Sequence, residues 1–204
     1  ICQCTQEARK HSAKVPYVGS NPTIDSIIKK EGEIMQKRIL TIQDISCLGQ
    51  CSLTVALPII SACGVETCVL PSAVLSTHTG GFTGYTFRDC SEDIPAILRH
   101  WKSLGIQFDF IYSGYLGSKE QVDIVCEFLD NFKSENTLSV VDPAMADNGK
   151  FYSGLGKDYA NALSSLCTKA DIISPNITEA MILSGLNPED YKNVTDIKEI
   201  CMKL

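Results

Sequence analysis

Ile39-Leu40-Thr41-Ile42-Gln43 is a short run rich in β-branched residues, and Asp44, Ser46 and Gly49 close it with turn-forming residues. Residues 52–62 then read as a helix ended by Gly64, and residues 65–70 as a second strand. Pro58 inside that helix predicts a tolerated kink. Strand, helix, strand is the repeating unit of a parallel sheet, because parallel neighbours need a crossover long enough to hold a helix. The same alternation runs on. Helices are predicted over 92–104, with Trp101 and Leu104 on the apolar face, and over 119–132, where Val122, Val125, Cys126 and Leu129 recur at three-to-four spacing. Further helices are predicted over 158–167 and 178–184, and further strands over 108–112, 138–141 and 171–173. A loop rich in Gly and Thr fills 76–89. The pattern implies an α/β fold, a mostly parallel sheet covered on both faces.

Composition narrows the partners. The 204 residues carry a net charge of −6, which argues against nucleic acid. Apolar runs are too short to span a bilayer, and no signal-peptide pattern appears, so no membrane partner and a cytoplasmic location are expected. The 10 cysteines match no zinc spacing with His11, His78 and His100, and read mostly as reduced small hydrophobes. Residues 1–34 do not conform. They are polar and lack an apolar period, and through Arg38 the chain holds seven Lys/Arg against four Asp/Glu, the remainder eleven against twenty. The segment is expected to be disordered or a non-native extension, with Met35 as the natural start and 35–204 as the folded part. Cys201-Met202-Lys203-Leu204 falls inside an amphipathic run without a stop signal, so a longer parent chain is expected.

In open α/β sheets ligands bind beyond the carboxyl ends of the strands. Here those ends read Asp44, Ser46 and Gly49; then Ser76-Thr77-His78-Thr79-Gly80-Gly81; then Ser113-Gly114-Tyr115 and Gly117; then Asp142-Pro143 and Asp147-Asn148-Gly149; then Ser174-Pro175-Asn176. Five polar or glycine-rich ends on one edge predict a site for a polar ligand. Neither the Gly-x-Gly-x-x-Gly dinucleotide fingerprint nor the Gly-x-x-x-x-Gly-Lys-Ser/Thr phosphate loop occurs.

Five segments occur in order: Thr41-Ile42-Gln43-Asp44, Leu75-Ser76-Thr77-His78-Thr79-Gly80, Ser113-Gly114-Tyr115-Leu116-Gly117-Ser118, Val141-Asp142-Pro143-Ala144-Met145 and Ile173-Ser174-Pro175-Asn176-Ile177-Thr178-Glu179. Together they resemble the pyridoxal/pyridoxamine kinases of the ribokinase superfamily, over about residues 37–186. The resemblance implies a three-layer α/β/α sandwich, incomplete at its C-terminal end in this chain. It implies transfer of the ATP γ-phosphoryl group to the 5′-hydroxymethyl of pyridoxal, pyridoxine or pyridoxamine, with Mg²⁺ and in many members a monovalent cation such as K⁺. It also implies a homodimer.

By the same resemblance, Asp44, His78, Thr79 and Tyr115 are substrate-binding. Asp44 stands where the family often carries a serine, and Gly80 where it often carries a polar side chain. From the residues alone, Asp44 equally suits an Asx turn, and His78 a loop histidine without a ligand. Tyr115 suits stacking on a pyridine ring or a place in the core. Asp142, Ser174, Asn176 and Glu179 match ATP-contacting positions, with Asp142 and Glu179 near the metal. Asp-Pro at 142–143 also suits a turn, and Asn176 with Glu179 also fits a capping box. The superfamily's Gly-x-Gly-Asp, which supplies the anion hole and the base, has no counterpart in the chain. No catalytic base is therefore assigned, and the 204 residues alone are expected to lack useful kinase activity. A hydroxymethylpyrimidine kinase of thiamine synthesis and a non-catalytic vitamer-binding module are the competing readings.

Overall fold

The sheet starts where expected and runs further. In the computed structural model, which describes residues 37–194 and 197–204, β1 spans Arg38–Ser46 and β2 spans Glu66–Leu75, paired in parallel. The expected extension 1–34 lies outside the described residues. Both strands outrun their predicted C-terminal ends, and their pairing shifts register between Gln43 and Ile45. The extra residue of that bulge is on β2, directly after Pro71, which has no amide hydrogen to give to a ladder. Asp44 is thus a strand residue, and the Asx turn is not formed.

The helix between them, α1 (Leu53–Ala62), contains Pro58 and buries only Leu53. After β2 the chain turns back as β3 (Phe87–Asp89), an antiparallel edge strand against Ala73–Leu75 in what reads as a loop. Then follow α2 (Asp93–Ser103), β4 (Phe110–Ser113), α3 (Lys119–Phe132) and β5 (Leu138–Val141). Next come the short strands β6 (Ala146–Asp147) and β7 (Lys150–Phe151), then α4 (Lys157–Cys167), β8 (Ile172–Ile173) and α5 (Ile177–Leu183). A 3-10 helix over Pro188–Asn193 and α6 (Ile197–Cys201) finish the described chain. The main sheet has the order β3-β2-β1-β4-β5-β8, parallel throughout except β3.

The hairpin β6–β7 has a sequence signal. Asn148 at φ 51° and Gly149 at φ 79° put both central residues in the left-handed region, as a two-residue Asn-Gly turn requires. At Gly149 a Cβ would also lie 3.0 Å from the Pro188 carbonyl oxygen.

One core joins the sheet to α2, α3 and α4: Leu40, Ile42, Ile111 and Val141 from the strands meet Ile94, Leu98, Val125, Phe128 and Leu163. On α3 the buried residues Gln121, Val122, Val125, Phe128 and Leu129 fall on one stripe. Each fully buried aliphatic or aromatic side chain of this kind contributes roughly 1.5–3 kcal/mol. Leu104 departs from its predicted place: it follows the last turn of α2 and is 60% exposed. A smaller core gathers Ala180, Met181 and Ile200. Cys47, Cys51, Cys63 and Cys201 are exposed rather than semi-buried, and the described cysteines are all free thiols.

Candidate active site

The chain leaves β1 toward β2 on one side and later returns to β4 on the other. A crevice opens at such a switch point, beyond the carboxyl ends of the strands. Asp44 on β1 and Tyr115 just past β4 meet there. Asp44 is 4% exposed, and Ser46 donates to its Oδ2 at 2.9 Å. Burial raises the Tyr115 phenol above its ordinary value, and the Asp44 charge raises it further. Gly114 lets the chain pass, since a Cβ there would lie 3.0 Å from the Gln43 side chain.

A cavity of about 230 Å³ lies beside Tyr115, lined by Thr79, Tyr85, Phe87, Gly117, Tyr152 and Ser153. Of the predicted residues, Thr79 and Tyr115 therefore share one wall-to-wall space. His78 is not among its lining residues. Its Nδ1 accepts from the Gly80 amide at 3.1 Å, its ring meets Phe82 edge-on at 5.0 Å, and its own amide donates to the Leu48 carbonyl. A Cβ on Gly49 would lie 2.2 Å from its Cδ2. His78 thus pins the 76–86 loop onto the turn after β1, and its Nδ1, acting as acceptor, leaves the neutral-ring proton on Nε2.

The second half of the site is acidic. Asp142 follows β5, half-buried, with no side-chain hydrogen bond among the described residues, and burial raises its carboxyl above the ordinary range. Glu179 sits at the third position of α5 and is 2% exposed. Asn176 caps the helix: its side chain accepts from the Glu179 amide, while Glu179 Oε2 accepts from the Asn176 amide at 2.8 Å. The capping box is real, and Glu179 does more than cap. Its Oε1 accepts from the Met145 amide at 3.1 Å, and Asn176 Nδ2 donates to the Ala146 carbonyl at 2.8 Å. The pair thereby holds the chain after Asp142 in place. Burial pushes the Glu179 carboxyl up to about 7, with the Asp142 charge adding to the rise against the backbone donors.

Ser174 and Asn176 line a separate apolar groove of about 740 Å³ with Ile173, Ile177 and Ile200. The aromatic side chains gather at the smaller cavity, whose lining includes no carboxylate. Tyr152 connects the two halves. It lines the aromatic cavity, and burial pushes its phenol up to about 12, with Glu179, Asp147 and Asp142 contributing. Tyr85, Phe87 and Tyr152 are site residues that the motif reading passed over. Tyr85 and Phe87 are aromatic residues in a stretch otherwise rich in Gly and Thr, and Tyr152 follows the Asn-Gly turn. Both signals are legible only once the hairpin and the edge strand are recognised.

The described residues hold no cluster of three metal-ligating side chains; for a metal Asp142 fits best among them, because none of them donates to its oxygens and its burial favours a neutralising cation. Both Glu179 oxygens already accept from backbone amides, which suits support of a metal's water shell over direct contact.

An open, mostly parallel sheet covered by helices, with an aromatic cavity beyond its strand ends, is the fold of the ribokinase-like proteins. The phosphomethylpyrimidine kinase family model matches residues 57–204, and the chain belongs to that family. A Bacteroides thetaiotaomicron protein described as a phosphomethylpyrimidine kinase, solved with pyridoxal, is 40% identical with a TM-score of 0.77, over 83% of this chain and 58% of its own. Pyridoxal kinase from Lactobacillus plantarum is 34% identical with a TM-score of 0.75, over 82% and 58%. Pyridoxal kinase PdxY of Actinobacillus pleuropneumoniae is 28% identical over 174 residues, 81% of this chain and 59% of the relative. The chain thus spans well under two thirds of the length of these proteins.

Proposed function

We propose that the parent protein is a cytoplasmic pyridoxal kinase, phosphorylating the 5′-hydroxymethyl of a vitamin B6 vitamer from ATP. The observation that carries this is the cavity holding Thr79 and Tyr115 beside Asp44, in a chain 40% identical to a protein solved with pyridoxal. Aromatic walls would hold a flat heterocycle there, and Asp44, which neighbours Tyr115 but does not itself line the cavity, would accept from a phenolic hydroxyl or pair with a ring N–H⁺. Asp142 would hold Mg²⁺, with Glu179 ordering the chain around it; the cation would neutralise charge developing on the transferred phosphoryl group. Asn176 and Ser174, at the start of α5, stand on the nucleotide side. As in the sequence-based expectation, the parent protein acts as a homodimer.

No Gly-x-Gly-Asp occurs in the 204 residues, so the chain supplies the vitamer pocket and carboxylates without the base. Losing such a base costs about 10²–10⁴-fold in rate. Calorimetric titration of the 204-residue chain tests the reading. Pyridoxal is expected to bind, Thr79→Ala and Tyr115→Ala each to weaken it at least fivefold, and pyridoxal 5′-phosphate not to form with ATP and Mg²⁺. No heat with pyridoxal, or affinity untouched by both substitutions, refutes it. The family's description favours one second reading, a hydroxymethylpyrimidine kinase. Tighter binding of hydroxymethylpyrimidine than of pyridoxal in the same titration would select it.

A further inference from the structure

The turn from Tyr115 to Gly117 is gripped by side chains from three different elements. Ser72 Oγ on β2 donates to the Tyr115 carbonyl at 2.9 Å. Tyr159 on α4, 5% exposed, donates its hydroxyl to the Leu116 carbonyl at 2.7 Å. Gln121 on α3 accepts the Gly117 amide through Oε1 at 2.7 Å. Two consecutive peptide groups, 115–116 and 116–117, are fixed by three bonds without any regular secondary structure of their own.

Gln121 does something the other two do not. It is fully buried, and its Nε2 donates to the Ser72 carbonyl at 2.7 Å, to Asp89 Oδ1 at 2.8 Å and to Ser91 Oγ at 3.0 Å. Ser91 closes the network by donating its amide to Asp89 Oδ1 at 2.8 Å. One face of the amide therefore holds the Tyr115–Gly117 turn, and the other holds the end of β3. These are adjoining walls of one cavity: Phe87 of β3 and Tyr115 and Gly117 of the turn all line it. The walls nearly touch, since a Cβ on Gly117 would lie 3.1 Å from the Phe87 ring. β3 is a three-residue edge strand paired on one side alone, so little else fixes its distance from the turn. A buried, fully bonded amide is expensive to break, because each group left behind is unsatisfied.

We propose that Gln121 is a positioning residue that sets the gap between the two walls of the vitamer cavity. It touches no ligand and acts through Gly117 and Asp89. The inference rests on the proposed vitamer site for its functional meaning, while the coupling of the walls stands on its own.

The test uses the full 204-residue chain with Gln121→Leu, which keeps the bulk and deletes both bonding functions, and Gln121→Glu, which keeps the acceptor and deletes the donors. Val125→Ala, one turn on in the same helix, is the control for general loss of stability. Amide exchange is read by NMR and pyridoxal affinity by calorimetry. Gln121→Leu is expected to speed exchange at both Gly117 and Ser91, Gln121→Glu at Ser91 but not Gly117, and both to weaken pyridoxal at least tenfold. Val125→Ala, at a comparable fall in melting temperature, should leave affinity within twofold. Affinity retained in a folded Gln121→Leu or Gln121→Glu overturns the proposal. So does faster exchange spread evenly over the chain as in Val125→Ala. Should Gln121→Leu fail to fold, Gln121→Glu carries the test alone. If the unaltered chain binds no pyridoxal, the vitamer reading falls, and the exchange pattern still decides whether Gln121 couples the walls.

Discussion

Gly49 and His78 show how much of this site rests on single positions. Gly49 sits at φ +93°, where L side chains are strained, and the His78 ring occupies the space a Cβ would take, 2.2 Å away. Gly49→Ala must move the ring, and with it the loop that carries Thr79. Thermal unfolding should show a loss of about 1–3 kcal/mol, and pyridoxal binding should weaken with it. Asp171 offers a pH-dependent counterpart away from the site. Lys133 at 2.7 Å, then the Ser139 amide and hydroxyl, hold its carboxyl down to about 2 from an ordinary 3.8. A depressed carboxyl stabilises the fold when ionised. Its contribution is complete above its unfolded-state value and is lost as pH falls toward the folded-state one. Partial exposure screens the pair, so Asp171→Asn should cost only about 1 kcal/mol at pH 7. In urea unfolding, the gap between the variant and the parent should close between pH 4 and pH 2; a gap constant across that range would refute the assignment.

The short helix α5 illustrates how one element builds part of a site. Seven residues make a marginal helix, so its start must be held. Asn176 provides that through its cap, and its amide nitrogen also donates to the Ala146 carbonyl, which ties α5 to β6. Asn176→Ala should cost about 1 kcal/mol for the cap alone, and Asn176→Asp, which keeps the cap but not the Ala146 bond, should recover part of it. Chemical denaturation of the two variants measures the difference. Equal losses would mean that the cap contributes nothing. The cap orders the same carboxylate that holds the chain after Asp142.

For the molecule as a whole, the two cores predict different responses. Leu163 belongs to the core that joins the sheet to α2, α3 and α4, and is 1% exposed. Leu163→Ala should cost about 2–5 kcal/mol and lower the single unfolding transition. Ile200 belongs to the smaller core with Ala180 and Met181. Ile200→Ala should cost less, and its faster amide exchange should be confined to α5 and α6. Loss of protection in β1 and β4 on Ile200→Ala would show that the small core is not separable.

Much of the architecture was legible in order and type. Apolar runs, helical period and turn residues mark β1, β2, β4, β5 and β8 and the helices between them, because burial on one helical stripe leaves a 3.6-residue period and burial on both sheet faces a continuous apolar run. Thr79, Tyr115 and Asp142 follow strand ends in the sequence, and a parallel sheet puts all those ends on one edge; Glu179 was expected only through the family resemblance. What lay beyond the sequence depended on contacts between distant segments. β3 exists through pairing with Ala73–Leu75, not through its own three residues. Leu104 points outward because the helix ends one residue before it, so apolar spacing alone misplaced it. His78 proved to hold a loop rather than line the cavity, because its ring is captured by Gly49, Gly80 and Phe82 from neighbouring turns. Gln121 looked like an ordinary polar residue in an amphipathic helix. Only folding brings Ser72, Asp89 and Gly117 to its amide, and a local pattern carries no trace of bonds made across 49 and 32 residues.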